Sequence, residues 1–253
     1  MQSIMKLGIQ LDGLIFAFSF LVFLSIKPAK IYAQDTSNQA IQENVIVLHG
    51  YGRSAVAMRT MERRLKRSGY RVHLVEYSSL MSSMAEIEDE VSQQIDQIIK
   101  QNPQKTHFIG HSLGGLLVRS YLGRHKVKQL GRVVTLGSPN KGTPVVEYFA
   151  QKWWFSLAGS AAQSLSSKGS QFLSSLPKPT YPLGVIAGLS KRKFAKKAFL
   201  KAPHDGLVSH ESTRVEGMTD FTVIPANHTA LRSNRAVFKE ILNFLKLGYF
   251  KTH

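Results

Sequence analysis

A chain of 253 residues with 33 basic and 16 acidic side chains carries a net charge of +17, has 43% hydrophobic residues and contains no cysteine. The missing thiols exclude disulfides, a thiolate metal site and a cysteine nucleophile. The length suits one domain with one substantial core, and the charge attracts nucleic acid, acidic polysaccharide or anionic lipid without choosing among them.

The first 33 residues differ from the rest. Lys6 precedes an apolar run of 14 residues, Gly13 to Ile26, and the segment ends Lys27-Pro28-Ala29-Lys30-Ile31-Tyr32-Ala33. That order reads as a secretory signal cleaved before Gln34, since the run is short of the roughly 20 residues a membrane span needs. Ile31 is larger than the residue usual three places before a cleavage point, and the stretch Ile4 to Leu11 could lengthen the run. An uncleaved N-terminal anchor and a buried helix therefore stay as alternatives. Residues 1–33 hold three lysines and one aspartate, so the remaining chain, 34–253, keeps a charge of +15. The expected location is periplasmic or secreted, or at a membrane through the N-terminal segment.

Short apolar runs then alternate with longer amphipathic ones, which predicts βα units around a mainly parallel sheet. Strands are expected at Val45 to Leu48, Val72 to Glu76, Thr106 to Ile109, Arg132 to Leu136, Pro182 to Ala187 and Phe221 to Ile224. Helical periodicity places Met58, Met61 and Leu65 on one face of Ala57 to Arg67. It repeats as Ile87, Val91, Ile95, Ile98 and Ile99 in Met84 to Ile99, and as Val237, Ile241, Phe244 and Leu245 in Ala236 to Leu247. These stripes are core faces.

The strand at Thr106 runs into Gly110-His111-Ser112-Leu113-Gly114-Gly115, and an apolar helix, Leu116 to Leu122, follows at once. G-x-S-x-G in this strand-to-helix setting is a nucleophile elbow, where side chains two residues either side of the serine would collide. Ser112 is the candidate nucleophile. With Val45-Ile46-Val47-Leu48-His49-Gly50-Tyr51-Gly52-Arg53, Asp205-Gly206-Leu207-Val208-Ser209 and Asn227-His228-Thr229, it makes four motifs in the chain order serine, acid, histidine. Together they resemble the oxyanion loop, elbow, acid loop and histidine loop of bacterial lipase-like serine hydrolases of the α/β-hydrolase superfamily, over about Asn44 to Phe250.

That resemblance implies a minimal α/β-hydrolase fold of about six strands in the spatial order second, first, third, fourth, fifth, sixth. Only 11 residues lie between the cleavage point and the first strand, too few for two further leading strands. It also implies His228 as general base, Asp205 as its orienting acid 23 residues earlier, and an oxyanion hole from the backbone N–H groups of Tyr51 and Leu113. Nine histidines compete for the base. His204 and His210 flank the acid, His111 lies inside the elbow as packing, and His49 supports the first loop. Glu147, Glu211, Glu216, Asp220 and Glu240 compete for the acid. Ser138 and Asn140, after the fourth strand, are support candidates.

The stretch 143–180 interrupts the alternation between the fourth and fifth strands and is too long for a plain loop. It stands where hydrolases of this kind carry a cap. Trp153, Trp154 and Phe155 are candidates to line an acyl pocket or to pack the cap onto the core. Lys191-Arg192-Lys193-Phe194-Ala195-Lys196-Lys197-Ala198-Phe199-Leu200-Lys201 is the densest basic tract, either a solvated face or a contact for an anionic membrane surface. Nucleic acid is not the expected partner.

No phosphate loop, dinucleotide fingerprint or H-E-x-x-H is present, and neither a cofactor nor a metal is invoked. The expected activity is cleavage of carboxylic esters, lipid or acyl, through an acyl-enzyme on Ser112. A thioesterase or acyltransferase on the same scaffold and a non-catalytic basic surface-binding protein are the alternatives. Oligomeric state is left open.

Overall fold

The computed structural model describes residues 42–150, 160–190 and 200–252. The N-terminal segment, Trp153, Trp154, Phe155 and the basic tract up to Phe199 lie outside the described residues.

Six strands, β1 (Asn44–Leu48), β2 (Arg71–Val75), β3 (Thr106–His111), β4 (Leu130–Leu136), β5 (Leu183–Gly188) and β6 (Asp220–Ile224), form one sheet in the order β2-β1-β3-β4-β5-β6. Every pairing is parallel. This is the open sheet of the α/β-hydrolase fold. Helices cover both faces, so the inner strands are apolar on both sides: Val45 and Val47 of β1 point into one cluster, Ile46 and Leu48 into the other.

The first cluster packs α1 (Arg59–Arg67) and α8 (Arg235–Leu247) on the sheet through Met61, Leu65, Val237, Ile241 and Phe244. The second packs α2 (Met84–Gln101) and α3 (Leu113–Arg124) through Ile87, Val91, Ile95, Leu116 and Leu117. Two of these four helix starts are fixed by side chains. Ser83 and Glu86 close a capping box at α2, and Asn234 accepts from Ala236 and Val237 at α8. The first helix differs from its predicted start: a 3-10 turn, Ala55–Met58, precedes α1, and Met58 is the buried residue at the join.

Between β4 and β5 the insertion holds α4 (Pro144–Ala150), α5 (Ser160–Gln163) and α6 (Gln171–Ser175). Ala161 and Leu165 join the second cluster, and Leu165 accepts a hydrogen bond from the Thr143 amide at 2.9 Å. The buried Arg119 of α3 clamps the end of the insertion, donating to the carbonyl of Pro177 at 2.9 Å and to Oδ1 of Asn140 at 2.8 Å. Asn140 in turn donates to the carbonyl of Thr213 at 2.7 Å, at the end of α7 (His210–Thr213).

The C-terminus closes the first cluster. Phe250 is fully buried, lies 5.0 Å from the Phe244 ring, and its amide donates to Asp220 Oδ2 at 2.6 Å. Phe250→Ala is expected to lower unfolding free energy by about 3–5 kcal/mol through lost contacts and the cavity left behind. Urea denaturation measures this; a loss below about 1 kcal/mol would mean that the terminus packs on a core that is complete without it.

Candidate active site

The chain leaves β3 and enters α3 through Ser112, which stands at φ 55° and ψ −121°. Among the described residues Met81 is the one other non-glycine with positive φ. Such a backbone costs of order 1–3 kcal/mol and persists where its surroundings leave no alternative. Here the Ser112 amide donates to the carbonyl of Leu136 on β4 at 2.9 Å, while the Ser112 carbonyl accepts from Gly115 at 3.1 Å. The hydroxyl does not cap the helix it precedes. A Cβ on Gly114 would lie 2.5 Å from the His49 carbonyl oxygen, so α3 can rest against the end of β1 only with glycine there.

Asp205 and His228 meet from loops after β5 and β6. Oδ2 of Asp205 lies 2.7 Å from Nδ1 of His228. Its other oxygen accepts from the amides of Leu207 and Val208, each at 2.8 Å. The backbones are tied as well, with the His228 amide donating to the Asp205 carbonyl at 3.0 Å. Since the ionised carboxylate can only accept, Nδ1 carries the proton that bridges the pair. Burial pushes the Asp205 carboxyl up, but the His228 ring and the two amides outweigh it and hold the group below its ordinary value. Gly137, at φ 59° after β4, makes room: a Cβ there would stand 2.9 Å from Asp205 Oδ2 and 3.2 Å from His228 Nδ1.

Ser112 and His228 line one cleft, together with Gly50, Tyr51 and Thr229. Leu113 is the first residue of α3, and Tyr51 follows Gly50 in the loop after β1. One wall is apolar and comes largely from the insertion: Val145 and Val146 of α4, and Leu165. Leu207 and Val208 of the acid loop complete it. Two arginines, Arg53 and Arg232, also line the cleft.

The competing residues have other partners. His49 is fully buried, stacks on Tyr77 at 4.0 Å, and its Nδ1 lies 2.9 Å from the Gly50 carbonyl. The Tyr77 hydroxyl donates to the His49 carbonyl. His204 Nδ1 accepts from the Gly206 amide at 3.0 Å, and His210 donates to the Gly188 carbonyl at 2.9 Å. Glu147 accepts from Ser166 and Ser167, Glu216 pairs with Lys178, and Asp220 and Glu240 hold the C-terminal segment. Of these acids Asp205 alone pairs with His228 among the described residues. Ser138 and Asn140 sit behind the cleft, Ser138 fully buried and Asn140 bridging Arg119 to Thr213. Among the described residues no group of three histidine, aspartate or glutamate side chains could hold a metal.

His111 departs from its sequence reading. It is no bystander to the turn: its ring lines the cleft, lies 4.9 Å from the His228 ring and donates from Nε2 to the His228 carbonyl at 2.9 Å. Burial, and after it the neighbouring His228, lowers His111 to about 3, so the ring is neutral at ordinary pH. Sequence reasoning missed this, along with Val145, Val146, Leu165, Arg53 and Arg232. A polar ring between a strand's last apolar residues and the nucleophile was the one available signal for His111.

Fold and site together define a class, the lipase-like serine hydrolases of the α/β-hydrolase superfamily. The model of the palmitoyl protein thioesterase family matches residues 44–176, and the chain belongs to that family. No curated protein matches it by sequence. Among solved structures it is similar to the mature lipase BlEst2 of Bacillus licheniformis, with 18% identity, a TM-score of 0.68, and coverage of 81% of this chain and 93% of that one. It is also similar to the phospholipase PlaB of Legionella pneumophila, at 17% identity and TM-score 0.60 over 82% of this chain and 59% of that one. The esterase EaEST of Exiguobacterium antarcticum matches at 17% identity and TM-score 0.55, over 81% and 92%. At such identity these likenesses speak to fold.

His111→Phe keeps ring volume and strands the His228 carbonyl, so it should cost about 1–3 kcal/mol of stability at pH 7. The pH dependence has a definite sign. His111 binds a proton below about 6.5 in the unfolded chain but only near 3 when folded, so the stability it contributes is full above 6.5 and is lost as pH falls toward 3. The gap between wild type and His111→Phe should therefore narrow or reverse by pH 4 in urea titrations. A gap that stays constant from pH 7 to pH 4 would contradict the buried neutral ring.

Proposed function

We propose that this protein is an exported serine hydrolase that cleaves acyl esters or thioesters through an acyl-enzyme on Ser112. The observation that carries the reading is the arrangement around one cleft: a serine raised on a strained turn, facing the same space as a histidine whose far nitrogen is held by a buried aspartate at 2.7 Å.

Nε2 of His228 takes the Ser112 proton as Oγ bonds to the substrate carbonyl carbon. The backbone N–H groups of Leu113 and Tyr51 stabilise the resulting oxyanion, each donor contributing about 2.7–4 kcal/mol in comparable sites. When the tetrahedral intermediate collapses, the carbon–oxygen or carbon–sulfur bond breaks and His228 returns the proton to the leaving group. Water then repeats the cycle on the acyl-enzyme, releasing the carboxylic acid and free Ser112. Asp205 fixes the ring and stabilises the imidazolium. The apolar wall of Val145, Val146 and Leu165 suits an acyl chain.

Membership of a thioesterase family favours thioester cleavage as a second reading. Kinetics on an ester and a thioester with the same acyl chain decide between them. In either case Ser112→Ala and His228→Ala should lower kcat/KM by roughly 10⁴–10⁶-fold, with Asp205→Asn near 10⁴. Labelling by a fluorophosphonate probe should vanish in Ser112→Ala. Undiminished hydrolysis by a folded Ser112→Ala protein would remove the mechanism.

Export rests on the N-terminal sequence pattern, and the anionic-surface contact on the charge of residues 191–201. N-terminal sequencing of the protein from its native cell should begin at Gln34. An intact Met1 in the membrane fraction would make the segment an anchor.

A further inference from the structure

The two arginines of the cleft have no assigned task. Arg53 stands two residues after Tyr51, in the loop that follows β1. Arg232 is half-buried and ends the 3-10 turn Ala230–Arg232, four residues after His228. The loops bearing Tyr51 and His228 therefore each place an arginine on the cleft that Ser112 lines. Among the described residues neither arginine belongs to an ion pair. Glu76 and Glu90 line an adjoining cleft with Arg53, neither within ion-pair distance of it, and the Glu76 carboxylate is engaged by the Ala55 amide at 2.9 Å and by His49 at 3.4 Å. Burial, and then the charge of Arg53, pushes Arg232 below its ordinary value. Two cations that repel one another at the reacting centre destabilise the empty protein, and an anion placed between them would remove that cost.

We propose that Arg53 and Arg232 bind a phosphate group on the alcohol side of the substrate, so that the preferred acyl ester is a small phosphate-bearing lipid ester. This rests on the serine-hydrolase reading and narrows its substrate. A carboxylate offers two oxygens and one charge, which a single bidentate guanidinium satisfies. A phosphate monoester offers three oxygens and nearly two charges, matching a pair of guanidiniums. Because both arginines line the cleft that holds Ser112, the phosphate must lie a few bonds from the scissile carbonyl, as the monoester does in a phosphatidic acid. In an acyl-coenzyme A the phosphates hang at the far end of a long arm. Hydrolysis of such a lipid leaves a carboxylic acid and a phosphate-bearing alcohol, with water supplying the hydroxyl and the proton.

The test compares dihexanoyl phosphatidic acid with dihexanoylglycerol, both kept dispersed as monomers so that no lipid surface contributes, and adds hexanoyl-coenzyme A as a third substrate. The wild-type protein should favour the phosphatidate. Arg53→Gln and Arg232→Gln should each lower the ratio of kcat/KM for phosphatidate over diacylglycerol by about tenfold or more, the loss expected for one charge-assisted contact. Arg232→Lys should give an intermediate ratio, keeping the charge without the fork. If both substrates lose rate together and the ratio holds, the arginines are structural and the proposal falls. An arginine dependence confined to hexanoyl-coenzyme A overturns it too. Wild-type protein that takes no fluorophosphonate label and cleaves none of the three would instead bring down the serine-hydrolase reading beneath it.

Discussion

A serine at φ 55° sits in backbone space that side chains avoid, and the turn is held because its neighbours are committed elsewhere. β3 lies between β1 and β4, so its path is fixed on both sides by parallel pairing. α3 is buried along nearly its whole first two turns and cannot shift outward. Gly114 lets that helix close on the carbonyl of His49, whose ring is in turn stacked on Tyr77. The strain at Ser112 is thus balanced by burial spread over two strands and a helix. Loosening any of them would let the turn relax and withdraw the hydroxyl from the cleft.

The same centre shows how burial sets charge. His111 and His228 are near neighbours, yet only one has a carboxylate. Asp205 gives His228 a counter-charge for the imidazolium that the proposed mechanism forms, while the buried His111, which donates to the His228 carbonyl, stays neutral. Two adjacent cations would otherwise compete for one aspartate. A neutral donor at position 111 thereby holds the backbone of His228 without adding to its electrostatic load.

The layered fold was legible because its signals are local and repeated. Val45 to Leu48 is apolar on both faces, as an inner parallel strand must be, and the stripe Ile87, Val91, Ile95 needed only helical periodicity. The pairing of Asp205 with His228 was legible through motif order. The short helices of the insertion were not, since four- and five-residue helices such as α5 and α6 are too brief to show a period. Arg53 and Arg232 were invisible among 33 basic residues, because charge in a sequence has no address until the chain folds. The His111 contact spans 117 residues, and no local pattern encodes it.

If Ser112, His228 and Asp205 act as proposed, substrate choice cannot reside in them, because such a set acts alike on esters and thioesters. The two differ at departure. A thiol with pKa near 8.5 leaves readily as thiolate, whereas an alcohol holds its proton about as tightly as water, near 15.7, and needs His228 to supply one. A site built around a well-oriented histidine is therefore over-equipped for thioesters and sufficient for esters. Family membership narrows the ancestry of the scaffold, and differences between substrates must be read by the lining: Val145, Val146 and Leu165, and Arg53 and Arg232, which form no ion pair among the described residues. A thioester whose alcohol-side counterpart is a neutral protein surface gives those guanidiniums nothing to bind. On the proposed reading, an anionic oxygen ester would engage both the apolar lining and the two arginines.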